Sequence, residues 1–126
     1  MSLRSPMGRV LGLGSAKDGT AHWWAQRVSA VALIPLTLWF AISLLTLPAL
    51  DYGTVRLWLS APLSTLLGVL LVAALTYHSY LGIVVVIEDY VHSAGSKVLS
   101  LLLLRFLHVL VGGAGIFAIL HVAFGS

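Results

Sequence analysis

Any chemistry in this chain has to come from a few polar residues set among apolar ones. The stretch from Tyr77 to His92, YHSYLGIVVVIEDYVH, places a histidine deep in an apolar run and a carboxylate pair with a tyrosine where that run ends. Successive helical residues turn by about 100°, so the eleven steps from His78 to Asp89 return to nearly the same face, roughly 16 Å further along the axis. A buried imidazole and a terminal carboxylate therefore look the same way. Ala74 and Gly82 lie one turn either side of His78, so the ring is flanked by little side-chain bulk and there is room beside it for something flat.

An ionisable group inside a membrane costs several kcal/mol unless it is paired or liganded. Two readings of His78 satisfy that demand. As an axial ligand to haem iron it would give the metal one nitrogen's lone pair while its other N–H finds an acceptor. Alternatively, it hydrogen-bonds to a neighbouring helix and does nothing else. Tyr90 is open in the same manner. A phenol that stays neutral near pH 7 can hydrogen-bond a quinone carbonyl, with Asp89 orienting it or leading to water. An interfacial tyrosine beside a helix-ending acid is the plainer reading.

The elements that carry these residues follow from composition. Of 126 residues 60% are hydrophobic and only 9% charged, with a mean hydropathy of +1.04. So little polar surface cannot cover a soluble globule, and the long uncharged runs predict one all-α integral membrane domain. Without cysteine the chain can hold no disulfide, cysteine-bound zinc or iron–sulfur cluster. The formal charge of +3 does not cluster on a soluble face, so the cations read as topology signals rather than a nucleic-acid site.

Residues 1–27 read as a basic arm leading into an interfacial segment, with four glycines in the first twenty residues, then Trp23, Trp24 and Arg27 at the mouth of a span. No apolar core of signal-peptide length occurs there, so an uncleaved N-terminus is predicted. The remainder, 28–126, forms a three-helix anchor with spans at about 28–47, 63–87 and 98–124. Pro35 lies inside the first span and Pro48 closes it, and the connection with Asp51, Arg56 and Trp58 is predicted to lie along the interface as a short helix. In the third span Arg105, His108, Gly112 and Gly115 recur at helical spacing and mark one packing face. Arg105 reads equally as a snorkelling or a buried cation, and His108 as a helix–helix hydrogen bond. The cations flanking the spans place the N-terminus and the Glu88–Lys97 turn in the cytoplasm and the C-terminus outside, in a multi-pass bacterial inner-membrane protein, the alternative being the matrix side of a mitochondrial inner membrane.

No serine–histidine–acid group, phosphate loop or hydrolytic carboxylate pair is evident, and three helices cannot wall off a substrate pocket alone. The chain offers one half of shared sites. HSYLGIVVVIEDYVHS closely resembles the hallmark of the hydrophobic D-type anchor subunit of succinate dehydrogenase, respiratory complex II, and GSAKDGTAHWWAQRVSAVALIPL resembles the N-terminal segment of bacterial members.

The resemblance implies a set of roles. His78 would be an axial ligand of haem b, its iron completed by a histidine of a companion C-type anchor. Tyr90 would bond ubiquinone as substrate, Asp89 would support it, and Arg27 would lie near the haem propionates or the quinone. A flavoprotein subunit with FAD and an iron–sulfur subunit would complete a heterotetramer, compatible with a trimer of such units and surrounded by lipid. The alternatives are the anchor of a fumarate reductase and a haem-free structural or assembly protein.

Overall fold

A computed structural model describes residues 15–125, with side chains from Gly19 onward. Four helices account for nearly all of it: α1 (Ser15–Thr46), α2 (Tyr52–Ser60), α3 (Pro62–Tyr90) and α4 (Ala94–Phe124). There is no strand among the described residues. From Gly19 on, α1, and the whole of α3 and α4, are long and apolar enough to cross a membrane.

The first helix begins well before the expected start of its span. Ser15–Arg27, read from sequence as the end of a loose arm and an interfacial segment, is helical; the arm's first fourteen residues, with Arg4 and Arg9, lie outside the described residues. The aliphatic residues that make the span hydrophobic start at Val28, but helix propensity extends the same rod backwards through Ala16, Ala21 and Ala25. Pro35 sits within the helix without ending it, and the chain leaves helix at Thr46, just before Pro48.

The connecting helix is present as expected. Asp51 caps α2 by accepting the Thr54 amide at 3.1 Å and the Thr54 hydroxyl at 2.7 Å, and these bonds hold its carboxyl below the usual carboxylate range. Trp58 on α2 stacks on Trp39 of α1, centroids 5.6 Å apart, with Phe40 beside both. Arg56 donates to the carbonyl of Gly125 at 2.6 Å, tying α2 to the far end of α4. Pro62 opens α3 in the first turn, where a missing N–H costs nothing.

The three long helices stand in a row. α3 packs against both α1 and α4, while α1 and α4 make no close backbone approach to each other. This arrangement buries very little: among the described residues Leu71, Leu81, Val84 and Leu104 are the buried apolar side chains, and Leu45, Phe106 and Phe117 are among many large ones left exposed. So wide an apolar surface is stable only under lipid or partner helices.

The α3–α4 seam is close because of its glycines. A Cβ on Gly112 would stand 2.9 Å from Thr76 Cγ2, and one on Gly115 would stand 3.0 Å from Val72 Cγ1. Both face α3, as the spacing in the third span predicted.

Candidate functional site

Three polar residues of α1, His22, Gln26 and Ser29, recur at steps of four and three and so occupy one stripe. That stripe faces α3. Ser29 is buried, and its hydroxyl stands 2.9 Å from Nδ1 of His78. One turn on, a Cβ on Gly82 would lie 3.8 Å from the Gln26 amide nitrogen, so the glycine leaves the space that Gln26 fills.

Two acceptors lie within reach of the Ser29 hydroxyl, the Gln26 carbonyl and the imidazole nitrogen. Ser29 has one O–H, and it donates to the carbonyl of Gln26 at 3.0 Å. In that arrangement its oxygen accepts from the imidazole, which would carry the ring's proton on Nδ1 and leave Nε2 without one. No described residue hydrogen-bonds that Nε2, and it is not one of the buried atoms left without a partner. His78 is half-buried, and its Nε2 is not sealed within the chain. A neutral histidine anchored through Nδ1–H with a free Nε2 has the form of a metal ligand. No cluster of three or more histidine, cysteine or carboxylate side chains forms among the described residues.

An apolar groove of about 700 Å³ opens beside this pair between α1 and α3, lined by Trp24, Val28, Ser29, Ala32, Ala74 and Tyr77 among others. Ala74 thus borders open space, as its small size led one to expect, whereas the Gly82 end of the same stripe is taken up by α1.

The other residues singled out from sequence lie apart. Arg27 is exposed and sits over the Trp23 ring, 5.3 Å from its centroid; two residues from Ser29, it points to another side of α1. Glu88, Asp89 and Tyr90 are exposed at the end of α3, Tyr90 to 77%, and Asp89 does not bond the phenol. They are available, not assembled. Sequence reasoning missed Ser29 and Gln26 as partners of the histidine. The signal was there, since three polar residues on one stripe of a helix entering hydrocarbon each need a partner.

His22 and Gln26 keep buried atoms with no hydrogen bond, Nε2 and Oε1. On the opposite seam His108 is fully engaged. Its Nδ1 donates to the Leu104 carbonyl at 3.0 Å and its Nε2 accepts from Ser79 at 3.2 Å, so it makes the interhelical hydrogen bond that its position suggested.

Comparison with known proteins decides the family. The profile of the succinate dehydrogenase/fumarate reductase transmembrane subunit family matches residues 1–112. The chain belongs to this family. It is 38% identical over 79 residues to the succinate dehydrogenase hydrophobic membrane anchor subunit of Rickettsia conorii, covering 62% of this chain and 63% of that one, which is somewhat under two thirds of the relative's length. The anchor subunits of Rickettsia bellii, 33% identical over 88 residues (70% of each chain), and of Paracoccus denitrificans, 34% over 93 residues (74% of this chain, 72% of that one), are similar as well. No solved structure matches. Family and helices together make the chain a multi-pass membrane protein whose homologues are succinate dehydrogenase anchors.

Proposed function

We propose that this chain is the bacterial inner-membrane anchor that holds one side of a haem b through His78 and one side of a ubiquinone site through Tyr90 and Asp89. A companion C-type anchor would supply the second axial histidine, and the iron–sulfur and flavoprotein subunits would dock on the cytoplasmic face. The observation that carries this reading is the seat of His78, whose Nδ1 stands 2.9 Å from the buried Ser29 hydroxyl while no described residue bonds its Nε2. With the Ser29 proton on the Gln26 carbonyl, its oxygen would take an Nδ1–H from the imidazole and leave Nε2 to face a metal.

The bound haem would supply a one-electron centre between the partner's clusters and the quinone. The chain's part is to hold the imidazole's orientation, keep its lone pair available and offer an apolar groove beside it. Arg27 is exposed on α1 and free to meet an anionic propionate. At the end of α3, Tyr90 carries an unshared O–H for a quinone carbonyl, and the neighbouring Asp89 can pass a proton from water.

The reduced-minus-oxidised optical spectrum of the purified complex tests the ligand. His78→Ala should abolish the b-type signal and the haem content while the subunit still inserts; an unchanged spectrum refutes the assignment. Tyr90→Phe should lower quinone reduction by about 10²-fold, the lower end for a positioned proton donor, and leave electron transfer from succinate to a soluble acceptor intact. Equal loss in both assays removes Tyr90 from the quinone site.

A further inference from the structure

Tyr90 does not stand alone on its side of α3. Counting back from it, Ile83, Ser79 and Leu75 follow at steps of seven, four and four, which keep to one side of a helix. At 1.5 Å per residue this stripe runs about 22 Å from the end of α3 to the middle of the span. A groove of about 430 Å³ follows its deeper part, between Leu75, Ser79 and Ile83 on α3 and Leu107, His108 and Val111 on α4. The end of the groove at Ile83 lies two helical turns from Tyr90, roughly 10 Å along the axis.

The groove offers nothing to a polar ligand. Its two polar residues satisfy each other, for Ser79 meets Nε2 of His108 at 3.2 Å and the Leu104 carbonyl takes the Nδ1–H at 3.0 Å. Leu75, Ile83, Leu107 and Val111 are all left exposed by the chain's own packing. What fits such walls is hydrocarbon.

The opposite face of the same seam has a different character. A groove there is lined by Arg105 and Tyr80, the guanidinium donating to the phenol oxygen at 3.4 Å. An apolar chain laid against that cation would strip it of polar neighbours, at a cost that the face below Tyr90 does not impose.

We infer that the groove between Ile83 and Val111 takes the apolar tail of the quinone whose head Tyr90 receives. The inference rests on the quinone reading of Tyr90 and adds where the rest of that substrate lies. A prenylated quinone joins a polar head to a hydrocarbon tail, so a head held at the end of α3 sends its tail toward the midplane. The face beneath the phenol is where that tail first meets protein, and the trough there is apolar throughout its free surface. Contacts at Tyr90 and Asp89 cannot sense the length of a tail. The groove can, and it makes the site selective for long-tailed quinones.

The test is steady-state reduction of two ubiquinones by the purified complex, one with a long prenyl tail and one with none. Val111→Phe and, separately, Ile83→Phe put a ring into the groove without touching the head site. Each should raise KM for the long-tailed quinone about tenfold, the burial of roughly two methylenes, and move KM for the tailless one less than about twofold. Reading each variant against wild type cancels the unequal partition of the two quinones into detergent, and haem content with electron transfer to a soluble acceptor reports assembly. In the unaltered complex, a quinone with a photoactivatable group on its tail should label the α3 and α4 segments that line the groove, a readout that needs no variant to fold. Equal changes in KM for both quinones, no change for either because a lipid or another helix fills the groove, or a tail label on another subunit would each overturn the inference. Tyr90→Phe should slow both quinones alike. If it spared both while Val111→Phe still penalised the long one, the tail groove would stand and the head assignment alone would fall.

Discussion

The two seams of α3 each carry a histidine facing a serine, and they do opposite things with it. Toward α1, His78 Nδ1 meets Ser29 at 2.9 Å; toward α4, His108 Nε2 meets Ser79 at 3.2 Å. The pairs look interchangeable until a third group is considered. The Leu104 carbonyl takes the N–H of His108 and leaves its other nitrogen to accept from Ser79, so both are used, while a Ser29 proton on the Gln26 carbonyl would make the first imidazole a donor with Nε2 open. Under the proposed ligand reading, the backbone acceptors outside the two pairs distinguish a ring that can bind a metal from one that joins helices.

Substituting both rings gives the sharpest way to break this contrast. His78→Ala should empty the complex of haem, whereas His108→Ala should leave haem content within about twofold of wild type, since it deletes an interhelical bond of roughly 0.6 kcal/mol. Haem loss in the second variant alone would reverse the assignment.

The seams should also differ in how they tolerate bulk. Gly112→Leu drives its side chain into Thr76 and should destabilise the bundle by about 1–3 kcal/mol, the range for overpacking. At Gly82 the added methyl of an alanine meets only the end of Gln26, in ordinary contact, and the change should fall within about 0.5 kcal/mol. Thermal unfolding in detergent measures both; a milder effect at Gly112 than at Gly82 would mean that the close seam is the other one.

The finest comparison is between the serines. Ser29→Ala removes the group that takes the Nδ1–H and should weaken haem retention about tenfold, as loss of an outer-shell partner does, with Ser29→Thr restoring it. Ser79→Ala should leave haem retention unchanged. Nitrogen-15 spectra of labelled histidine in the haem-free protein give a second readout: the Nδ1–H tautomer of His78 should be lost in Ser29→Ala and preserved in Ser79→Ala.

Much of this was legible in the chain itself. Three apolar runs specified three spans, and Gly112 and Gly115 marked the close seam because small residues at helical spacing have few other uses in hydrocarbon. His78 declared itself because a buried imidazole must be satisfied. What it bonds was not legible, because Ser29 lies 49 residues away and pairing across that separation depends on which faces of two helices meet. The early start of α1 was hidden by glycines and charges that outweighed its alanines in the reading. The direction of Arg27 was also hidden, since a guanidinium at a helix mouth can turn either way and Trp23, one turn back, provides a ring to lie on.

The unbroken course of α3 from Pro62 to Tyr90 has a consequence for how this protein can vary. His78 and Tyr90 ride on the same rod, twelve residues apart, with no proline or break to absorb a change in length. Adding or deleting a single residue between them would swing the tyrosine by about 100° relative to the imidazole as well as moving it about 1.5 Å. The interval should therefore accept many exchanges of one apolar side chain for another and almost no insertion or deletion, behaving as a fixed-count spacer whose register matters more than its composition.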